Sequence, residues 1–573
     1  MSHSLQSTAI GDRAAPDRSR RTLVLGLAAA VLCYLAHPPV GWSLLAWIGP
    51  SPWLYLACLP RMPGRRPYGA VWASGVVYWL LTIQWIRLPH PANALGLVLL
   101  AAYLGVYILA FVAITRIAVH RWRMPVWLAG SIAWTGLEWL RARLLTGFLM
   151  ASLAHTQVRW PHVIQIADIF GEYGVTFLVV LVAGAIAEAA YRFGHSSAWP
   201  AWRRALPLLP AAVCVGLAVG YARLRIDALE SQQTGNQRTA TIALIQSDML
   251  ADWKGTTERD IAAMRQMYDL SRQAVRTAKQ PVDIVIWPET MYRDPLLIID
   301  PDRGPAAGAL PAEVVEATAK NLATMAADLN AALLLGIERF NTLAAEKSAA
   351  TPHGYRFEAF NSCVCVDRTG AVVGTYDKMH LLPFGEFIPL VDWLPALRNI
   401  SPIAGGSLEG AHPAAFEVDG VSYCPNICYE TVLPHLIRRQ VVELIGRSRW
   451  PDVLVNLTND AWYWGSSELD MHLASGVFRA VEMRLPLVVA ANRGLSAYVD
   501  YRGRIVQVTE RDRAACLVAE VELPPRRLYP SHFARYGDWF ALACLVCCGI
   551  TVVASTVAAA QRAAGAPREV HRE

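Results

Sequence analysis

The sequence predicts a polytopic α-helical membrane domain joined to an α/β domain. Of its 573 residues, 54% are hydrophobic and only 17% are charged, whereas soluble chains usually carry about 25% charged residues. Long apolar runs are confined to residues 22–225 and to one stretch near the C-terminus. The segment between them has ordinary charge density and short alternating apolar runs, which are typical of a globular domain.

Membrane-spanning helices are expected wherever about 20 mostly apolar residues follow one another, because that length crosses about 30 Å of hydrocarbon. Seven such stretches lie near 22–38, 41–59, 68–87, 93–115, 124–145, 164–190 and 205–222, and an eighth lies near 537–560. We therefore expect a tail over 1–21, a seven-helix transmembrane region over 22–225, a globular domain over 238–525, a transmembrane helix over 537–560 and a tail over 561–573.

The orientation follows from the enrichment of Lys and Arg in cytoplasmic loops. Arginines precede the first stretch and follow the second, fourth and sixth: Arg13, Arg18, Arg20, Arg21, Arg61, Arg65, Arg66, Arg116, Arg121, Arg123, Arg192, Arg203 and Arg204. This alternation predicts that both termini are cytoplasmic and that the globular domain lies on the outer face. Arg141, Arg143 and Arg159 do not fit the pattern, because they fall in a loop expected outside.

The globular segment alternates β-branched or aromatic runs with helical patterns, which indicates α/β layers. Strands are predicted at 239–246, 282–287, 331–337, 359–366, 371–376, 421–427, 452–457, 487–491, 496–501 and 516–521, and helices at 256–279, 311–329, 431–446 and 470–484. The short turn at 367–370 joins two strands as a hairpin, so the sheets are expected to be mixed.

Composition and motifs exclude several classes of function. The net charge is only +6, which is smaller than expected for a protein that binds nucleic acid. Six of the 11 cysteines lie in apolar runs, so a disulfide scaffold is not expected. The sequence contains no GxGxxG, Walker or HExxH pattern and no Cys/His cluster with zinc-ligand spacing, so we expect no cofactor and no metal.

Three reactive side chains each follow a predicted buried strand, namely Glu289, Lys378 and Cys428. A cysteine thiolate is a nucleophile, a neighbouring cation favours its formation, and a carboxylate can accept its proton. A lysine ammonium can also stabilise the oxyanion formed at a carbonyl. Together the three residues could act as nucleophile, oxyanion donor and general base. Their spacing in the sequence leaves open whether they come together in space.

The segments that carry these residues resemble a known family. They are Trp-Pro-Glu at 287–289, Tyr-Asp-Lys at 376–378 and Cys-Tyr-Glu at 428–430, and this ordered set resembles the Glu-Lys-Cys triad of the nitrilase (carbon–nitrogen hydrolase) superfamily. The segments 380–389, 456–462 and 479–482 are similar to the apolipoprotein N-acyltransferase branch. The resemblance implies that the α/β domain is a nitrilase-like αββα sandwich, and it covers most of the chain.

The resemblance also implies an activity. Cys428 would take an acyl chain from a glycerophospholipid as a thioester, and the N-terminal α-amino group of a diacylglyceryl-cysteine on an apolipoprotein would then accept it, with Glu289 as base and Lys378 as oxyanion donor. Glu386, Tyr429 and Glu430 would support the site, and Trp253 would belong to a substrate loop. The implied location is the inner membrane of a bacterium, with the catalytic domain on the periplasmic side among membrane lipids.

The sequence departs from the family pattern at Leu149, Met150 and Arg493, which could alter lipid preference. Two other functions stay open at this point. A membrane-anchored amidase would use the same triad but pass the acyl group to water. A transporter with an accessory domain would place ionisable residues inside several spans, and apart from Glu138 and Asp168 the spans contain few.

Overall fold

The computed structural model describes residues 20–231, 238–251, 256–299, 312–344, 355–383, 385–388, 406–525 and 530–565. The N-terminal region is helical. Its α-helices are α1 (Arg21–Ala36), α2 (Ser51–Cys58), α3 (Pro67–Thr82), α4 (Asn93–Trp122), α5 (Val126–Arg141), α6 (Pro161–Ile164), α7 (Ala167–Phe170), α8 (Glu172–His195), α9 (Ala201–Ala205) and α10 (Leu208–Ser231). Short 3₁₀ helices lie at Ser43–Trp47, Gln84–Arg87, Leu144–Thr146 and Leu153–Gln157.

The globular domain follows with twelve strands in the described residues. They are β1 (Thr239–Gln246), β2 (Ile284–Ile299), β3 (Ala332–Ala344), β4 (Tyr355–Val366), β5 (Val372–Asp377), β6 (Phe416–Val418), β7 (Val421–Ile427), β8 (Val453–Asn459), β9 (Leu487–Asn492), β10 (Ala497–Val499), β11 (Ile505–Val508) and β12 (Ala515–Glu522). Its helices are α11 (Thr257–Thr277), α12 (Ala312–Leu329), α13 (Pro434–Gly446), α14 (Glu468–Met483) and α15 (His532–Tyr536), and α16 (Trp539–Gly565) ends the described chain.

Four described helices are long and apolar enough to cross a membrane, namely α4, α8, α10 and residues 539–561 of α16. The apolar helix α1 is shorter, with 16 residues. Trp53, Tyr78, Phe111 and Trp134 pack between the N-terminal helices as part of one apolar cluster.

Several of the predicted apolar stretches do not form the single helices that we expected, and 68–87, for example, is divided into α3 and a 3₁₀ helix. The stretch 41–59 is divided into a 3₁₀ helix and α2, because Gly49 and Pro50 interrupt it and proline disfavours a helical conformation in the residue before it. The stretch 164–190 is broken at Gly171, whose φ of +68° ends α7. The long helix α8 begins only at Glu172.

The strands form two six-stranded sheets, in the orders β12-β1-β2-β3-β4-β5 and β11-β10-β9-β8-β7-β6. The central pairs β1/β2, β2/β3, β7/β8 and β8/β9 are parallel, and the outer pairs are antiparallel. The expectation of mixed sheets is therefore confirmed. The short strands β6 and β11 were missed, because each has only three or four residues.

The two sheets pack face to face and a helical layer covers each outer face. Alternate residues of β1 show this: Ile242 and Leu244 point into the cluster between the sheets, whereas Ala243 and Ile245 contact α11 and α12. Helices α13 and α14 cover the second sheet. The domain is an αββα sandwich, as the sequence resemblance implied.

Buried ion pairs join the globular domain to the helical region. Glu172, at the start of α8, accepts hydrogen bonds from Arg479 of α14 at 2.8 Å and from His155 at 3.0 Å. Asp168 pairs with Arg484 at 2.6 Å. These contacts explain why the chain breaks near Gly171, since both acids must reach the catalytic domain, and they fix α14 beside the site described next.

Candidate active site

Glu289 lies where β2 bends away from β3. The parallel register of the two strands shifts between Trp287 and Tyr292, and a Cβ atom at Gly336 of β3 would lie only 2.3 Å from the Pro288 carbonyl oxygen. Only glycine therefore allows the bend at this close approach. The bend turns Glu289 into the interior, where it is 7% exposed.

Lys378 follows the last residue of β5 and is 2% exposed. Its Nζ lies 3.3 Å from Glu289 Oε1 and 2.9 Å from Glu386 Oε2. Burial alone would lower the pKa of Lys378, but the negative charges of Glu386 and Glu289 overcome this and hold the pKa well above its usual range. Lys378 is therefore a permanent buried cation between two carboxylates.

Asn361 of β4 connects the same two carboxylates, donating from Nδ2 to Glu289 Oε1 at 2.7 Å and to Glu386 Oε1 at 2.6 Å. The remaining oxygens accept backbone N–H groups: Glu289 Oε2 from Asn459 at 3.0 Å and Glu386 Oε2 from Leu382 at 2.9 Å. Each carboxylate is thus held at both oxygens, which fixes its orientation.

Cys428 comes directly after β7 and has a φ of +53°, a left-handed conformation that non-glycine residues rarely adopt. Two side chains hold its carbonyl oxygen: Asn456 Nδ2 donates at 3.1 Å and His472 Nε2 lies at 3.0 Å. Such strained residues concentrate at functional sites, where the surroundings fix the conformation.

The structure brings Glu289, Lys378 and Cys428 together. Burial, followed by the charge of Glu289, raises the pKa of the Cys428 thiol well above its ordinary value, and Lys378 acts in the opposite direction. The sulfur therefore stays protonated at neutral pH, so a thiolate must form by proton transfer during the reaction. Glu289 is the carboxylate whose charge acts most strongly on this thiol.

Glu430 is fully buried and supports the turn that contains Cys428. Its Oε1 accepts the N–H groups of Met379 and His380, and its Oε2 accepts the N–H of Ile427 at 2.7 Å. The Tyr376 hydroxyl also donates to it. Glu430 thereby connects the chain around Lys378 to the chain around Cys428, and burial raises its pKa to about 7.

We expect Glu430→Gln to lower the stability of the folded protein by about 2 kcal/mol, because an amide nitrogen would face N–H donors that it cannot accept. The melting temperature of the purified protein in detergent measures the change. The surface variant Glu443→Gln serves as control, since Glu443 pairs with the exposed side chains of His412, Arg439 and Arg447. An unchanged melting temperature for Glu430→Gln would contradict the role as a connector.

The other predicted site residues have different outcomes. Glu386 and Tyr429 lie at the site: Glu386 holds Lys378, and the Tyr429 hydroxyl donates to the Gly147 carbonyl oxygen at 3.0 Å. Gly147 belongs to the membrane-domain loop that departs from the family pattern at Leu149 and Met150. Trp253 lies outside the described residues.

Cys428 also packs against the apolar cluster of the membrane helices. Phe148, Leu149, Tyr429 and Tyr463 are parts of the same cluster. The nucleophile is therefore placed where an apolar surface of the helical region meets the polar triad.

One further group of titratable side chains lies beside Cys428. Asp460, Glu468 and His472 are all buried, and their ligand atoms lie within 4.8 Å of one another. By geometry these residues could hold a metal ion. The sequence patterns searched above did not reveal this group, because its members come from the end of β8 and from one face of α14.

Sequence reasoning also missed Asn361 and Asn456 as site residues. A signal was present in each case, since both are amides within strands that are otherwise largely apolar. Buried amides are costly unless their hydrogen bonds are satisfied, so each indicates a specific partner, but the sequence does not identify it.

Two family models match the chain, the apolipoprotein N-acyltransferase N-terminal domain over residues 29–185 and the carbon-nitrogen hydrolase over residues 241–530. An apolipoprotein N-acyltransferase of Geobacter metallireducens is 32% identical to the chain, covering 94% of it and 95% of the relative. One of Rhodopirellula baltica is 30% identical, covering 89% and 93%.

Solved structures match the globular domain. An amidase of the nitrilase superfamily from Nesterenkonia has 15% sequence identity, covers 52% of this chain and 93% of its own, and gives a TM-score of 0.34. A carbon-nitrogen hydrolase from Helicobacter pylori has 13% identity, covers 50% and 90%, and also gives a TM-score of 0.34.

The two sequence relatives extend over almost the whole chain, and the two family models match its helical region and its αββα domain separately. The apolar helices and these relatives together make it a membrane protein. The chain is an acyltransferase and belongs to the apolipoprotein N-acyltransferase family.

Proposed function

We propose that the enzyme transfers an acyl chain from a glycerophospholipid to the α-amino group of an N-terminal diacylglyceryl-cysteine, through a thioester on Cys428. The observation that carries the proposal is the position of Cys428, which packs against the apolar cluster of the membrane helices on one side and faces Glu289 and Lys378 on the other. The relatives are named for the acceptor, apolipoprotein.

In the first step Glu289 takes the Cys428 proton and the sulfur attacks the ester carbonyl of the phospholipid. Lys378 donates to the oxyanion of the tetrahedral intermediate, a task that is typically worth a few kcal/mol. The ester C–O bond breaks, Glu289 returns the proton to the departing alkoxide, and a lysophospholipid leaves. The donor ester at sn-1 is part of this proposal.

In the second step the acceptor amine attacks the thioester and passes a proton to Glu289. The C–S bond breaks, the sulfur regains a proton and an amide is formed. Glu386 and Asn361 keep Lys378 and Glu289 in place throughout, because Glu386 pairs with Lys378 and Asn361 donates to both Glu289 and Glu386. Tyr429 and Glu430 shape the turn, and Trp253 is proposed to contact substrate.

Transfer to an amine requires that water is kept from the thioester. The buried triad and the adjoining apolar cluster favour this outcome, since they leave little polar surface around the sulfur. We place the catalytic domain on the periplasmic face with both termini in the cytoplasm, on the basis of the arginine pattern. The phospholipids of the membrane then surround the helical region and also supply the acyl chain.

The experiment is intact-mass analysis of the purified protein in phospholipid micelles, followed by addition of a diacylglyceryl-cysteine peptide. We expect a mass increase of one acyl chain that hydroxylamine removes, that maps to the peptide containing Cys428, and that moves to the amine of the added peptide. Loss of the adduct to water with the peptide unmodified would instead indicate a hydrolase. Absence of an adduct in every lipid would overturn the proposed thioester.

A further inference from the structure

The strained conformation of Cys428 depends on contacts to its carbonyl oxygen, and one of these comes from the buried group beside the triad. His472 Nε2 lies 3.0 Å from that oxygen, and His472 Nδ1 lies 3.4 Å from Asp460 Oδ1. Asp460, Glu468 and His472 are 4%, 3% and 4% exposed, respectively. The site chemistry described above uses none of these three side chains.

Both neighbours of the imidazole can accept hydrogen bonds. A carbonyl oxygen cannot donate, so Nε2 must carry the hydrogen of its contact with the Cys428 carbonyl. Burial lowers the pKa of His472, but the hydrogen bond and charge of Asp460, together with Glu468, raise it to about 9.

Glu468 completes the group. Its Oε2 is buried without a hydrogen-bond partner, and burial followed by the charge of Asp460 raises its pKa well above the ordinary value. Asp460 is the acid that faces the imidazole at Nδ1.

We propose that His472, oriented by Asp460, is a positioning residue that holds the Cys428 carbonyl and so keeps the thiol aimed between Glu289 and Lys378. The left-handed φ of Cys428 costs free energy for a residue with a Cβ atom. Asn456 supplies one compensating hydrogen bond and His472 supplies the other. Without it the turn can relax, and the sulfur leaves the position from which proton transfer to Glu289 is possible.

The test compares His472→Phe, His472→Gln and the control Ser475→Ala. Ser475 lies one turn further along α14, is fully buried and bonds only to the Met471 carbonyl of its own helix. Glutamine keeps a neutral donor that can reach the Cys428 carbonyl, whereas phenylalanine fills a similar volume without one. Two rates are measured: acyl-enzyme formation from phospholipid, and alkylation of Cys428 by iodoacetamide.

We expect His472→Phe to lower both rates by about 100-fold, because a displacement near 1 Å at a reacting atom has this effect. The KM for phospholipid should change little, whereas the melting temperature of His472→Phe should fall, because the buried Asp460 loses its partner. Both rates of His472→Gln should lie within about tenfold of the wild-type rates. Both rates of Ser475→Ala should equal the wild-type rates. Equal losses in the Phe and Gln variants, or no loss in either, would overturn the positioning role.

Metal analysis of the wild-type protein provides a second test. One equivalent of a divalent cation that disappears in His472→Phe would overturn the proposal, because Nδ1 would then be a metal ligand and not a donor to Asp460. The inference rests on the proposed acyl transfer only for the first of the two rates, which is acyl-enzyme formation from phospholipid. If the wild type is alkylated at Cys428 but forms no acyl-enzyme, the proposed function fails, whereas equal alkylation of His472→Phe and wild type makes the positioning role fail.

Discussion

Cys428→Ala is expected to abolish acyl transfer, with a loss of at least about 10⁴-fold in kcat and no acyl-enzyme detectable by mass. Removing a covalent nucleophile leaves only the contribution of binding and of the oxyanion donor. Since the Cys428 sulfur is the atom that we propose forms the thioester, no neighbouring group can replace it. Release of lysophospholipid and acylation of the acceptor peptide are measured on the same samples.

Cys424→Ala is the matched control for this variant. Cys424 lies on β7, four residues before Cys428, and is fully buried in the protein interior. Its loss removes one buried sulfur at a cost of about 1 kcal/mol in stability and should leave the acylation rate unchanged. Acyl transfer by Cys428→Ala at a rate near that of the wild type would remove Cys428 from the mechanism.

Glu289→Gln is expected to lower the rate of acyl-enzyme formation by about 10²–10⁴-fold, the range for loss of a general base. The thiol is held protonated by its surroundings, so the reaction depends on a group that accepts its proton, and a glutamine amide cannot. The variant keeps the size of the side chain and the acceptor oxygen that Asn361 or Asn459 can reach. Single-turnover acylation measures the effect, and alkylation of Cys428 by iodoacetamide should slow in parallel.

Glu386→Gln distinguishes a base from a carboxylate that only holds Lys378. Both acids contact Lys378 and share Asn361, but only Glu289 is assigned a proton transfer. We expect about a tenfold loss for Glu386→Gln, which is much smaller than for Glu289→Gln. The reverse order of the two losses would show that the base has been assigned to the wrong carboxylate.

The strands of the catalytic domain were well predicted from sequence. The runs at 239–246 and 421–427 match β1 and β7 to the residue, because buried strands in α/β domains are short, β-branched and bounded by turn residues. The ends of β2 and β3 were not predicted, since the register of β2 is interrupted between Trp287 and Leu296 and β3 extends into polar residues that pair by backbone hydrogen bonds. Backbone pairing leaves no signal in side-chain type.

In the helical region, the sequence predicted where helices lie but not where they are interrupted. Apolar composition correctly located α4 and α16, yet it gave a single helix over 164–190, where the chain breaks at Gly171. Asp168 and Glu172 are the reason, because they pair with Arg484 and Arg479 of the catalytic domain. Hydropathy measures transfer into lipid and carries no information about contacts between domains.

The sequence by itself determined the fold class, a helical region joined to an α/β domain, and it gave Glu289, Lys378 and Cys428 as the candidate site residues, because residue chemistry and strand periodicity are local properties. Only the tertiary structure decided which groups surround Cys428. The Asn361 bridge, the donors to the Cys428 carbonyl and the buried side chains of Asp460 and His472 come from segments more than 25 residues away along the chain. Their meeting depends on sheet register and on the packing of α14, and these are set by the burial of apolar surface across the whole domain.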